Sequence, residues 1–235
     1  MSLDIVDMIV DQLDELPHIE KIAIAGRGEP TLYKHFAEMA QKLIDYRDNH
    51  RPSMKLQLAT NGRRVDTYEH LLRQFNTINL SVYDQSKLTV QQTYDKYHSW
   101  GNVAFFDRRT VTLSDASPNT YHNRAGSAPH PVTRTEGVSH RKYGMTCEKP
   151  MLVAYISWNG DYNLCCNDWE DIQVLGNIHT ETIKEFLTSN PNLKKYQYNL
   201  LAGKRDLDPC STCNRPVHPR WINTFSTEVD KILNK

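Results

Sequence analysis

Four of the five cysteines are spaced so that their thiols could bind one metal centre. Cys210 and Cys213 form a CxxC pair, which can hold a metal from one tight turn. Cys147 precedes an apolar stretch and Cys165 ends it, so a hairpin turning at Asn159-Gly160 would bring both to the same end. Four thiolates complete the ligand set of a structural zinc or of a [4Fe–4S] cluster. Spacing alone leaves these two as equal alternatives.

The fifth cysteine, Cys166, is predicted to have a packing role. Side chains alternate along a strand, so Cys166 is expected to point away from the neighbouring Cys165. All five cysteines lie beyond Gly144, and clustered cysteines in a reducing compartment are more often metal ligands or catalytic groups than disulfides. We therefore expect a metal site.

The first half of the chain alternates apolar strands with amphipathic helices. The predicted helices are residues 3–16, 35–47, 67–75 and 88–100, and the predicted strands are residues 21–26, 55–62, 78–83 and 102–113. This alternation favours right-handed βαβ units and a parallel sheet. In such sheets the ligand site is formed by polar residues at the carboxyl ends of the strands. Here those are residues 26–30, residues 60–62, and Ser81 with Tyr83.

Residues 114–146 are rich in Ser, Pro, Gly, His and Asn, which is typical of a linker or a crossing loop. The sequence therefore predicts three parts. They are an α/β domain at 1–113, the linker at 114–146, and a small cysteine-bearing module at 147–235.

Composition restricts the class of protein. The chain has 235 residues and balances 28 Lys and Arg against 28 Asp and Glu, so its net charge gives no strong nucleic-acid signal. No apolar run approaches the roughly 20 residues that cross a bilayer. The first ten residues are acidic and lack the basic start of a secretory signal. We expect a cytoplasmic protein without a membrane anchor.

The cysteine-bearing module resembles the SPASM/Twitch module of radical S-adenosylmethionine (SAM) enzymes. The matching residues, in order, are Cys147, the hairpin glycine Gly160, Cys165-Cys166-Asn167-Asp168, Leu175-Gly176-Asn177, a helix, and Cys210 with Cys213. Upstream, Asn123-Arg124-Ala125-Gly126 is similar to the "NRAG" that often precedes the module. The resemblance implies that Cys147, Cys165, Cys210 and Cys213 hold one auxiliary [4Fe–4S] cluster, as in the Twitch form, with zinc as the alternative.

Residues 1–113 resemble the partial barrel of the same family. Residues 26–30 are similar to its "GGEP" motif, Thr60-Asn61-Gly62 to its "TNG", and Ser81 lies where the family contacts SAM. The implied SAM-binding residues are Gly26, Gly28, Glu29, Pro30, Thr60, Asn61, Ser81 and Arg124. The implied fold is α/β: an incomplete radical-SAM-type, TIM-like barrel followed by a small α+β SPASM/Twitch-like module.

One family motif is absent from the sequence. The CxxxCxxC that holds the SAM-cleaving cluster would need cysteines before Cys147, and there are none. Without that cluster no electron donor to SAM is evident, so the sequence leaves open whether the chain is itself an enzyme. By family comparison, the helix at 3–16 corresponds to the one after this motif, so the first barrel strand is also expected to be missing.

Three explanations follow: a fragment of a longer enzyme, a natural pseudoenzyme, or a chain whose missing parts come from another subunit. We favour a split or shortened protein that works with a partner. Loss of the first strand would expose strand 21–26 as an unpaired edge. The sequence therefore predicts a homo-oligomer or a partner protein covering that edge.

Two classes of function are expected from these alternatives. In the first, the chain is a partner-dependent component of an enzyme that modifies a peptide or a small molecule. In the second, it is a non-catalytic binding scaffold whose four cysteines hold a structural iron–sulfur cluster or zinc.

Overall fold

The computed structural model describes residues 1–82, 87–107 and 147–213. The chain divides into two compact units, Met1–Asp115 and Ala116–Lys235. The predicted linker and Arg124 lie outside the described residues. Within them, no helix combines the length and the apolar character that crossing a membrane requires.

The first unit is a four-stranded parallel sheet with helices between its strands. Its helices are α1 (Leu3–Asp11), α2 (Phe36–His50), α3 (Glu69–Leu72) and α4 (Lys87–Tyr97), and its strands are β1 (Lys21–Ile24), β2 (Lys55–Thr60), β3 (Thr77–Val82) and β4 (Val103–Asp107). The strand order is β1-β2-β3-β4, and every neighbouring pair is parallel. The prediction of an α/β unit with a parallel sheet is confirmed.

The core of this unit follows from the periodicity of its strands and helices. Leu56 and Leu58 on β2 and Ile78 and Leu80 on β3 are fully buried at every second position. Phe36 at the start of α2 is also fully buried in this core. Ser2 caps α1 by accepting a hydrogen bond from the backbone N–H of Ile5 at 3.3 Å. These buried side chains fix the strands in the core, and with them the edge at which the strands end.

The predicted helix at 67–75 is divided and shorter than expected. A 3₁₀ turn at Asp66–Tyr68 leads into the single-turn helix α3. The chain then turns towards β3, and Asn76 makes two hydrogen bonds to Leu56, from its N–H to the carbonyl and from the Leu56 N–H to its side chain. These bonds begin the pairing with β2 at Asn76. The helix therefore ends before the apolar pattern of the sequence ends.

The described part of the second unit, residues 147–213, combines a small antiparallel sheet with three helices. These elements are α5 (Lys149–Leu152), β5 (Tyr155–Ile156), β6 (Asp161–Asn163), β7 (Val174–Asn177), α6 (Ile183–Ser189) and α7 (Pro191–Leu201). The sheet order is β5-β6-β7. The hairpin predicted at 151–166 is present, but its first two residues belong to the helical turn α5 instead of a strand, and β7 was not predicted.

The two longer helices of this unit have well-defined starts. Thr182 and Glu185 form a reciprocal capping box at α6. Asn190 caps α7 by accepting a hydrogen bond from the N–H of Leu193 at 3.0 Å. Both helices bury apolar side chains, and the ring of Phe186 stacks on Tyr162 of β6 with centroids 4.2 Å apart. The sheet is thereby fixed against the helices.

Candidate metal centre

Four cysteines from three separate segments line one cavity in the second unit. Cys147 lies just before α5, Cys165 follows β6, and Cys210 and Cys213 lie in the turn that follows α7. The N–H of Cys213 donates to the carbonyl of Cys210 at 3.2 Å, which closes that turn. The tertiary structure thus brings together all four sequence-predicted metal ligands.

The cavity walls are mostly apolar, and they control the protonation of the thiols. Burial raises the pKa of Cys165 and of Cys210 to about 12, and it also raises the pKa of Cys147. Backbone N–H groups act in the opposite direction: that of Lys149 on Cys147, and those of Asn167 and Asp168 on Cys165. The site keeps free thiols neutral, yet it has N–H donors in place for thiolate sulfurs.

The four thiols can be compared with what zinc and an iron–sulfur cluster each require. Among the described residues, no group of three or more His, Cys, Asp or Glu is close enough to bind a single metal ion. Tetrahedral zinc has Zn–S bonds of about 2.3 Å and therefore needs its sulfurs within roughly 4 Å of each other. An iron–sulfur cluster is larger, so its cysteines stand farther apart. The four thiols around one cavity provide the number of sulfur ligands that either centre requires.

Charged side chains surround the same cavity. Arg205 and Lys149 contribute to its lining, and Nη1 of Arg205 donates to the carbonyl of Cys213 at 3.0 Å. Glu148 is only 2% exposed, and its Oε2 has no hydrogen-bond partner among the described residues. Two cations therefore lie at the cavity, and a buried carboxylate directly follows its first cysteine.

Buried polar contacts hold the loops that present the cysteines. The carboxylate of Asp168, 1% exposed, accepts hydrogen bonds from the N–H groups of Ile172 at 3.0 Å and Gln173 at 2.8 Å. The hydroxyl of Tyr196 lies between the side chain of Gln173 and the carbonyl of Asp208. These contacts connect the loop after Cys165 to α7 and to the loop that leads into the CxxC turn.

The predicted packing role of Cys166 is wrong. Its side chain is exposed, because β6 ends at Asn163 and the chain turns through a hydrogen bond from the N–H of Asp168 to the carbonyl of Cys165 at 3.2 Å. The alternation of side chains that holds along a strand does not apply in this turn. Cys166 does not line the cavity.

Two glycines of the module have steric roles that sequence patterns did not reveal. Gly160 has a φ of +88°, and a Cβ there would lie 2.8 Å from Cγ2 of Ile178. A Cβ on Gly176 would lie 1.8 Å from Oε1 of Glu181. The Glu181 carboxylate also accepts a hydrogen bond from the amide of Asn190, the cap of α7. The glycines therefore permit the close approach of β7 to its neighbours.

The first unit gathers the residues predicted to bind SAM at the carboxyl edge of its sheet. Gly26 and Gly28 follow β1, are exposed, and have positive φ with open space beside their Cα atoms. Thr60 is the last residue of β2, Asn61 follows it, and Ser81 is near the end of β3. The remaining residues of this set are Glu29 and Pro30, in the turn after β1, while Arg124 lies outside the described residues.

Glu29 connects two of the turns at this edge. Its Oε1 accepts hydrogen bonds from the hydroxyls of Thr31 and Thr60, both at 2.6 Å, and from the N–H of Thr31 at 3.0 Å. Its Oε2 accepts one from the N–H of Asn61 at 2.5 Å. This carboxylate therefore holds the turn after β1 against the end of β2.

Comparison with known proteins supports this description. Residues 147–214 match the SPASM family, an iron–sulfur cluster-binding domain. The chain is similar to the crystal structure of BtrN in complex with AdoMet and 2-DOIA, with 22% identity and a TM-score of 0.70 over 92% of this chain and 80% of that chain. For selenomethionine BtrN in an open conformation the identity is 19% and the TM-score 0.63, with the same coverage. No curated protein sequence matches.

These findings agree with the geometry of both units. The fold is similar to that of BtrN, and the C-terminal part of the chain carries the cysteine-lined cavity within the matched domain. Residues 147–214 therefore match an iron–sulfur cluster-binding SPASM domain, in a chain whose fold is similar to that of BtrN.

Proposed function

We propose that this chain is a partner-dependent component of a radical SAM-type enzyme and holds one auxiliary [4Fe–4S] cluster. Its ligands are Cys147, Cys165, Cys210 and Cys213. The observation that carries the proposal is the convergence of these four thiols on one cavity, within the part of the chain that matches an iron–sulfur cluster-binding domain. The cytoplasm is the proposed compartment, where the cysteines stay reduced until the cluster is inserted.

The residues around the cavity support an electron-transfer or structural role. Four cysteine ligands leave no iron open to a substrate. Pro150, Leu164 and Pro209 supply apolar walls that limit access of water. When bound, the cluster accepts or donates one electron at a time. The thiolates hold it, and the N–H groups of Lys149, Asn167 and Asp168 stabilise the negative charge on the sulfurs.

The carboxyl edge of the parallel sheet is the proposed SAM site. The exposed backbone at Gly26 and Gly28 can be approached closely because neither residue has a side chain. Glu29 fixes the turn against Thr60 and Asn61. The substrate class we propose is a peptide or a small molecule. The 2-DOIA in the crystal structure is a ligand of BtrN, and for this chain we propose only the broader class.

The motif that binds the SAM-cleaving cluster does not occur in these 235 residues. We therefore propose that it comes from another subunit or from a further part of a longer chain. We propose that this missing part attaches at the outer edge of β1, since no described strand pairs with that side. Lys55 donates to the carbonyl of Glu20 at 2.9 Å, so in the parallel ladder the N–H of Ala23 faces outwards.

One substitution tests this edge. Replacing Ala23 by Pro removes an outward N–H while leaving the hydrogen bonds to β2 in place. We expect Ala23→Pro to weaken self-association or partner binding, measured by light scattering and pull-down, and Ala23→Ser to have no effect. A wild-type chain that stays monomeric across micromolar concentrations and binds no candidate subunit contradicts the proposal.

The cofactor proposal is tested by anaerobic reconstitution with iron and sulfide. We expect about four iron and four sulfide per chain, visible charge-transfer absorbance, and a reduced form that is paramagnetic. SAM binding is measured by calorimetry, and 5′-deoxyadenosine is assayed with the chain alone and with candidate partners. One zinc per chain without visible absorbance contradicts the cluster. An intact cluster with no SAM binding or cleavage under any condition favours the second function, a non-catalytic scaffold.

A further inference from the structure

We propose that Arg205, assisted by Lys149, sets the reduction potential of the auxiliary cluster by placing fixed positive charge beside the four cysteines. This inference rests on the proposed function, because it requires a cluster in that cavity. It assigns to Arg205 a task beyond ligation: adjusting how readily the site takes up one electron.

The position of Arg205 carries the argument. The residue lines the cavity together with all four cysteines, and its Nη1 donates to the carbonyl of Cys213 at 3.0 Å. Its side chain is half-buried, so solvent screens its charge less than that of an exposed residue. Cys147 and Cys210 lie on different segments and line the same cavity, so the charge of Arg205 acts on sulfurs from both.

The chemistry determines the direction of the effect. A [4Fe–4S] core of charge +2 held by four thiolates carries a net charge of −2. Uptake of one electron makes this −3, with no bond broken and no proton moved. A nearby cation stabilises the more negative form, and apolar walls strengthen that interaction because they lower the local dielectric constant. Arg205 therefore favours the reduced form, which raises the reduction potential.

Two further charged residues directly follow Cys147 in the sequence. Glu148 directly follows Cys147, is buried, and its Oε2 has no hydrogen-bond partner among the described residues. A buried carboxylate beside a cluster disfavours reduction for the same electrostatic reason. Lys149 lines the cavity next to it in sequence. One carboxylate and two cations together act on the reduction potential of the cluster. Removal of any one of these charges would therefore shift that potential.

The competing explanation is that Arg205 only holds the closing turn through Cys213. Three variants separate the two roles. Arg205→Gln removes the charge but keeps a hydrogen-bond donor, Arg205→Lys keeps the charge but loses the planar guanidinium, and Lys204→Gln removes a charge from an exposed neighbour outside the cavity. A purely structural role would respond to the donor geometry and not to the charge.

The experiment is a redox titration of the reconstituted full chain, with mediators and with the reduced cluster quantified by EPR. Iron and sulfide content are measured first, so that failure to bind a cluster, which would overturn the proposed function, is recognised separately. We expect Arg205→Gln to make one-electron reduction about tenfold less favourable, which is about 59 mV for such a couple. Arg205→Lys and Lys204→Gln should stay close to the wild type.

An unchanged or raised potential in Arg205→Gln, with the cluster intact, overturns the inference. Equal shifts in Arg205→Gln and Arg205→Lys also overturn it, since they indicate the structural role. If Arg205→Gln does not retain its cluster, Lys149→Gln supplies the same test by removing the second cation at the cavity. A potential in that variant equal to the wild type then counts against the proposal.

Discussion

The two units of this protein are stabilised by different means. The sheet unit has a continuous apolar core that extends from Val6 on α1 to Tyr97 on α4. The cysteine unit has strands of only two to four residues, and its loops depend on buried polar contacts such as those of Asp168. The sheet unit is therefore expected to fold without a cofactor, whereas the cysteine unit needs its metal for full stability.

The largest expected difference follows loss of a metal ligand. Cys210→Ser should abolish most cluster binding and destabilise the cysteine unit, because three thiolates leave the site incomplete. Hydrogen exchange by mass spectrometry should show faster exchange in β6, α6 and α7, while β2 and β3 stay protected. The matched control is Cys166→Ser, which removes an exposed thiol outside the cavity and should retain the iron. Equal iron loss in both variants would contradict this assignment.

The reverse experiment weakens the sheet unit and leaves the metal site intact. Phe36 is fully buried, so Phe36→Ala should lower the free energy of unfolding of this unit by about 3–5 kcal/mol. Leu32→Ala is the control, because Leu32 is 48% exposed and its truncation should cost within about 0.5 kcal/mol. Urea unfolding followed by circular dichroism measures both. Loss of iron in Phe36→Ala would show that the units do not differ in the proposed way.

A smaller effect is expected at the carboxyl edge of the sheet. Glu29→Gln places an NH₂ group among groups that all donate hydrogen bonds, which should cost about 1–3 kcal/mol. Glu20→Gln, at an exposed position, should be nearly neutral. Thermal unfolding measures the difference. If the two variants are equally stable, Glu29 does not hold the two turns together.

The smallest effect near neutral pH concerns the metal-free cysteine unit. The pKa of Cys165 and of Cys210 is about 12 in the folded chain, against about 8.5 for a thiol in an unfolded chain. Because the folded pKa is raised, the stability from these thiols is complete below pH 8.5 and declines as the pH rises towards 12. Urea unfolding between pH 8 and 9.5 should show the decline in the metal-free chain. Replacing both cysteines by Ser should reduce it, and a slope unchanged by that replacement would contradict the assignment.

Sequence periodicity predicted the sheet unit well. Buried positions recur at every second residue in β2 and β3, so the pattern that identified them as strands also identified which side chains enter the core. The hairpin was predicted, but its extent was not. β7 was missed because the segment Val174–Asn177 is short and includes Gly176, whose role depends on the approach of Glu181. Helix α5 was missed because it is a single turn.

The sequence by itself determined which residue types could bind a metal or a cofactor. Four cysteines in one half of the chain and polar residues after each strand were sufficient to name the candidate residues, since thiol chemistry and strand ends are local properties. Only the tertiary structure decided which of these groups meet. It brought three segments to one cavity, exposed Cys166, engaged the Glu29 carboxylate, and placed Arg205 beside the cysteines. These outcomes depend on contacts between residues distant in sequence, which packing and hydrogen bonding select and local patterns do not encode.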